Sequence, residues 1–110
     1  MPTSTTALLQ GTLDVLILKI LALEPMHGLG ISRRIAQVTN GTFQVKPGSL
    51  FPALHRMEEA GWITAQSVVT ENKRRARVYE VTRAGRKQAA AETERWTSLA
   101  NGVARVLRHA

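Results

Sequence analysis

The chain contains no cysteine, a single aspartate, two tryptophans, one tyrosine and two phenylalanines. Without cysteine there are neither disulfides nor thiolate metal sites, and the redox compartment is left open. With one aspartate, Asp14, a pair of catalytic aspartates is excluded, and the adjacent Glu58 and Glu59 point to different sides of any helix that carries them. His27, His55 and His109 lie far apart and show no ligand spacing, so no metal or other cofactor is expected. His27-Gly28-Leu29-Gly30 has no Gly-x-Ser-x-Gly nucleophile elbow to accompany it, and Pro47-Gly48-Ser49 lacks the pattern of a phosphate-binding loop. An enzyme is therefore not expected. The longest apolar run, Val15 to Leu23, is interrupted by Lys19 and is too short to cross a bilayer. The N-terminus lacks the layout of a signal peptide, so a soluble cytoplasmic protein with no membrane contact is the expectation.

What is present is positive charge and helical periodicity. The 110 residues suggest one domain, and 44% apolar residues suffice for a small core that would gain from pairing with a second copy. The net charge is +7 and the sequence pI about 11.1. Within residues 71–87, Lys73, Arg74, Arg75, Arg77, Arg83, Arg86 and Lys87 face only Glu71 and Glu80, so this segment carries +5 of the +7. Such a concentration suits a polyanionic partner; a solvated loop is the plainer alternative.

The stretch from Pro47 to Ile63 organises the chain. It reads as a helix opening near Ser49 as N-cap, with Pro52 in the first turn and Gly61 as the stop. Leu50, Ala53, Leu54 and Met57 share one face at helical spacing, while Ser49, Phe51, His55, Arg56 and Glu59 occupy the others. That pattern fits either a recognition helix or an ordinary surface helix.

Residues 1–6 are expected to be frayed, followed by a helix from about Leu8 to Leu23 whose apolar residues (Leu9, Leu13, Leu16, Ile17, Ile20, Leu21) nearly encircle it. Cover for such a helix in so short a chain points to a second subunit. Pro25 ends it. A second helix runs from about His27 to Val38, burying Leu29, Ile31, Ile35 and Val38, and ends at the Asn40-Gly41 turn. Phe43-Gln44-Val45 reads as a short strand or as an extended link. Beyond Gly61, Trp62 to Val69 and Ala76 to Thr82 read as two strands joined by a basic tip, a wing. A final helix opens near Thr82 and runs to about Leu107. Its residues Ala89, Trp96, Leu99, Val103 and Val106 step by 7, 3, 4 and 3, a heptad-like seam.

The expected fold is α+β and mostly helical: a winged helix-turn-helix over residues 1–82, followed by a dimerisation helix over 83–110. In such a fold the second helix of the motif enters the major groove by its N-terminal residues. The candidate DNA contacts are Lys46, Ser49, Leu50, Phe51 and His55 on that helix, with Lys73, Arg74, Arg75 and Arg77 on the wing. Leu9, Leu13, Leu16, Trp96, Leu99, Val103 and Val106 are the candidate homodimer contacts. A winged-helix module whose basic wing meets an acidic protein is the alternative.

Several blocks resemble the PadR family of bacterial transcriptional regulators. They are Leu9-Gln10-Gly11-Thr12-Leu13-Asp14, Met26-His27-Gly28-Leu29-Gly30-Ile31, Gly48 to Glu58, Gly61-Trp62-Ile63 and Arg77 to Arg86. The family often has tyrosine where this chain has Leu29, Phe51 and Val78, and Phe51 thereby lacks a hydroxyl that members aim at a DNA phosphate. A single helix after the wing is similar to the short-tailed branch. The resemblance implies a dimeric repressor on a palindromic operator, released by a signal such as a phenolic acid or a planar drug. It also makes Trp96 a candidate for stacking on a planar aromatic effector; simple packing at the interface is the other reading of that residue.

Overall fold

The computed structural model describes residues 4–110 and, in the first helix, side chains from Gly11 onward. The elements are α1 (Ser4–Leu23), β1 (Met26–His27), α2 (Gly28–Val38), α3 (Pro47–Glu59), β2 (Ile63–Val69), β3 (Arg75–Val81) and α4 (Arg83–His109). The strands form one antiparallel sheet in the order β1-β3-β2. This is a winged helix carrying a long C-terminal helix. Among the described residues no helix is long and apolar enough to cross a membrane.

The core is built where the apolar stripes converge. Ile17, Leu18 and Leu21 of α1 meet Ile31 and Ile35 of α2, and Leu50, Leu54 and Met57 of α3. Ile63, Tyr79 and Val81 close it from the wing, and Ala89 from α4. Leu29 and Val38, expected inside, are exposed. Leu29 lies on the far side of α2 from Ile31 and Ile35, whereas Val38 shares their side but is the last residue of the helix, so only Ile31 and Ile35 reach the core.

The start of α3 differs from expectation. The N-cap is Lys46, and Pro47 is the first helical residue, a position where its missing N–H goes unused. The Ser49 N–H donates to the Lys46 carbonyl, so Ser49 lies inside the first turn and does not cap it. Pro52 therefore sits in the helix interior and leaves the Gly48 carbonyl without its usual donor. Gly61 takes a positive φ of 79° and ends the helical region as expected. Phe43 to Val45 is a link, not a strand. Strand β1 has no signature in the sequence: it is two residues long, and only its pairing with Val78 and Tyr79 makes it a strand.

Thr82 joins the wing to α4. Its hydroxyl oxygen accepts the Gly85 N–H (3.0 Å) as the N-cap of α4, and its hydrogen is shared between the carbonyls of Gly61 (2.7 Å) and Trp62 (3.0 Å). Gly85 lies so close to the Trp62 carbonyl that a Cβ there would overlap the oxygen. Gly85→Ala is thus expected to destabilise the fold by about 1–3 kcal/mol in urea denaturation, although alanine is the better helix former.

Asp14 on α1 accepts from the Arg56 guanidinium on α3 at 2.6 Å. Burial lifts the Asp14 carboxyl above its ordinary value; Arg56 pulls it down without cancelling that effect, and Glu92 adds to the rise. Between the ordinary and the raised pKa the folded chain holds more of this proton than the unfolded chain. Asp14 therefore makes stability fall as pH rises through that window. Asp14→Asn keeps an acceptor for Arg56 and should be tolerated at pH 7 while flattening this pH dependence. Arg56→Met strands the carboxylate and should destabilise at pH 7 and steepen the dependence. Denaturation at pH 4.5 and pH 7 separates these outcomes.

Candidate nucleic-acid interface

Helix α3 buries Leu50, Ala53, Leu54 and Met57 and turns Gly48, Ser49, Phe51, Pro52, His55 and Glu59 to solvent. Leu50 leaves the set of candidate contacts, because the core encloses it fully and no atom of it reaches the surface. Phe51 has two environments. It is 44% exposed, yet its ring lies against α2 at Gly28, where a Cβ would come within 2.8 Å of the ring Cε1. The close approach of α2 and α3 thus needs glycine at position 28, and it holds the Phe51 ring at the rim. His55 Nε2 lies 2.8 Å from the Glu59 Oε1, one helical turn on. Lys46 is exposed at the N-cap and makes no side-chain cap bond.

The wing tip is a closed turn. The Thr70 N–H donates to the Arg74 carbonyl (2.8 Å), the Lys73 N–H donates to the Thr70 carbonyl (2.9 Å), and Lys73 adopts a left-handed φ of 57°. Lys73, Arg74 and Arg75 project from it, exposed. Arg77 is held differently. Its Nη2 reaches both carboxylate oxygens of Glu58 (2.9 and 3.1 Å), and its guanidinium lies 6.0 Å from the Tyr79 ring centroid. It ties the wing to α3, whereas its three neighbours at the tip are free of ion pairs among the described residues. Arg33 and Arg34 on α2 are also exposed and basic, and sequence reasoning passed over them. Their signal was a pair of arginines between the buried positions Ile31 and Ile35.

Away from α3 and the wing, α1 and α4 flank an open groove of about 990 Å³ lined by Gly11, Thr12, Trp96, Leu99, Gly102, Val103 and Val106, among others. The Trp96 indole N–H donates to the Thr12 hydroxyl at 3.1 Å, and the residue is still 41% exposed. Leu13 and Leu16 of α1 are partly buried against the core, and Leu9 lies outside the described side chains.

Residues 17–91, from the middle of α1 into α4, match the model of the transcriptional regulator PadR-like family. The chain belongs to that family. PadR-like proteins are transcriptional regulators, not enzymes. A transcriptional regulator of Mycobacterium tuberculosis is 36% identical over 61 residues, which cover 56% of this chain and 53% of that relative. A solved chain from Thermoplasma acidophilum is 28% identical with a TM-score of 0.81, over 94% of this chain and 98% of that one. A PadR-like transcriptional regulator from Bacillus cereus, 23% identical with a TM-score of 0.78, has the same fold over 94% of this chain and 99% of its own. In this PadR-like chain the Glu58–Arg77 pair sets where the wing stands relative to α3. An exposed pair adds little global stability, so Glu58→Gln should lower it by less than about 1 kcal/mol. Hydrogen exchange of the β3 amides should nevertheless become faster.

Proposed function

We propose that this PadR-like regulator is a homodimeric repressor that reads a palindromic operator. In this reading residues 1–82 bind DNA and residues 83–110 pair the subunits. The observation that carries it is the outward face of α3, with Lys46, Ser49, Phe51 and His55 exposed, beside a wing tip carrying Lys73, Arg74 and Arg75. Ser49 and His55 are the side chains for base edges. Gly48 lets the backbone approach closely, and the ring of Phe51 suits a sugar or a thymine methyl. The wing cations suit phosphates, which position the protein without specifying sequence. Arg77 has a smaller part, since Glu58 neutralises it.

A second reading adds to the first. The exposed indole of Trp96 in the groove supports a role in stacking on a planar aromatic effector. Quenching of tryptophan fluorescence by such a compound, absent in Trp96→Ala, would support it.

The primary test is a selection from random duplex DNA at about 150 mM salt, near physiological ionic strength. A palindrome with half-sites about 34 Å apart is expected. Arg74→Ala with Arg75→Ala removes up to four phosphate contacts per dimer and should reduce the slope of log affinity against log salt by about 3 to 4. Ser49→Ala or His55→Ala should relax sequence preference instead. Uniform weak binding with no enriched site would overturn this reading in favour of an acidic protein partner for the wing.

A further inference from the structure

Leu29 and Arg33 of α2 have no use inside this chain. Leu29 is 54% exposed, and Arg33 is exposed with no ion-pair partner among the described residues. They stand four residues apart, so their side chains share one flank of the helix. Arg34 differs from its neighbour, since it lies 3.7 Å from Glu24, just beyond the end of α1.

Two contacts fix which way that flank faces. The Gly28 backbone lies against the Phe51 ring, and the Ser32 hydroxyl donates to the Val45 carbonyl (3.1 Å) in the link that leads into α3. Gly28 and Ser32 therefore face α3. Leu29 and Arg33 each follow by one residue, about 100° round the helix, which carries them further from the buried Ile31 and Ile35. Their flank is the solvent side of the junction between α2 and α3, and it continues onto the half-exposed ring of Phe51. A further turn of about 100° takes Arg34 away from α3. Of the two adjacent arginines, only Arg33 stands beside the outward face of α3.

We infer that Leu29 and Arg33 seat the DNA backbone beside the groove that α3 enters, with the Arg33 guanidinium on one phosphate and Leu29 against the adjoining deoxyribose. This rests on the operator reading above and adds a contact to it. A sugar–phosphate unit offers an anion next to an apolar ring face. The flank offers a cation one helical turn from an apolar side chain. Arg33 carries an uncompensated charge, whereas Arg34 and Arg77 each already face a carboxylate. Because α2 is packed into the core through Ile31 and Ile35, a phosphate held by Arg33 fixes how α3 lies along the groove.

The test uses the sequence enriched by the selection above, with single phosphates replaced in turn by neutral methylphosphonates. Arg33→Ala should lower the slope of log affinity against log salt by about 2, one phosphate in each half-site. It should leave the enriched sequence unchanged, since a phosphate contact carries no base information. One methylphosphonate position per half-site should weaken the wild type and have no effect on Arg33→Ala, while the other sensitive positions weaken both. Arg33→Lys should restore the salt slope, and Arg34→Ala should behave as wild type. Leu29→Ala should weaken binding about threefold at an unchanged slope. An Arg33→Ala chain that keeps the wild-type slope, or that responds to every methylphosphonate as the wild type does, would overturn the contact while leaving the operator reading in place. The same would follow if Arg34→Ala, and not Arg33→Ala, showed both effects. A Leu29→Ala chain that binds as wild type would remove Leu29 from the contact. No enriched site for the wild type would overturn the operator reading itself, and this contact with it.

Discussion

The carbonyl of Trp62 is the point on which the arrangement of this molecule depends. It follows directly on the end of α3, it accepts the Thr82 N–H from the end of the wing, and the first turn of α4 rests on it at Gly85. One backbone oxygen therefore fixes three elements relative to one another. Glycine at 85 allows the approach, and the Thr82 hydroxyl binds the same corner from the other side. If this corner loosened, α4 could swing relative to the wing. α3 and the groove along α4 would then no longer be parts of one rigid body.

The second tie runs across the core. Asp14 is largely enclosed on α1 and reaches Arg56 on α3. Burial holds its carboxyl above the ordinary value despite the guanidinium, and the contact fixes how α3 lies against α1. Near one end of α3 the Glu58–Arg77 pair holds the wing by a similar, more exposed contact. The outward face of α3 is thus steered by two arginine–carboxylate contacts, on opposite sides of a helix whose apolar stripe does the anchoring.

Much of this was legible in the sequence because it rests on periodicity. The stripe Leu50, Ala53, Leu54 and Met57 and the alternation through Tyr79 and Val81 carried the helices and the wing, and the glycine at 61 marked the end of α3 correctly. What was missed depends on partners distant in the chain. Strand β1 exists only because β3 lies beside it. Ser49 looked like a cap because its residue type favours one, but Pro47 is pre-shaped for the first helical position and drew the start of α3 three residues earlier. Leu50 was placed in both the core and the interface; with Gly28 packed against the ring of Phe51, the two helices are too close for both. The restraint of Arg77 by Glu58 joins residues 19 apart and is invisible to any local pattern.

The sheet order has a consequence for how the molecule behaves in a crowd. With β3 in the middle, β2 is an outer strand, and along Ile63–Val69 one side of its backbone has no neighbouring strand in the sheet. Val69 is 70% exposed beside that open edge. An edge of this kind is a template for strand-to-strand aggregation. The cations of the tip stand at its end, so the wings of two molecules repel before their edges can meet. The same arginines and lysine that suit the wing to a polyanion also act as its colloidal guard, and concentrated salt weakens both properties together.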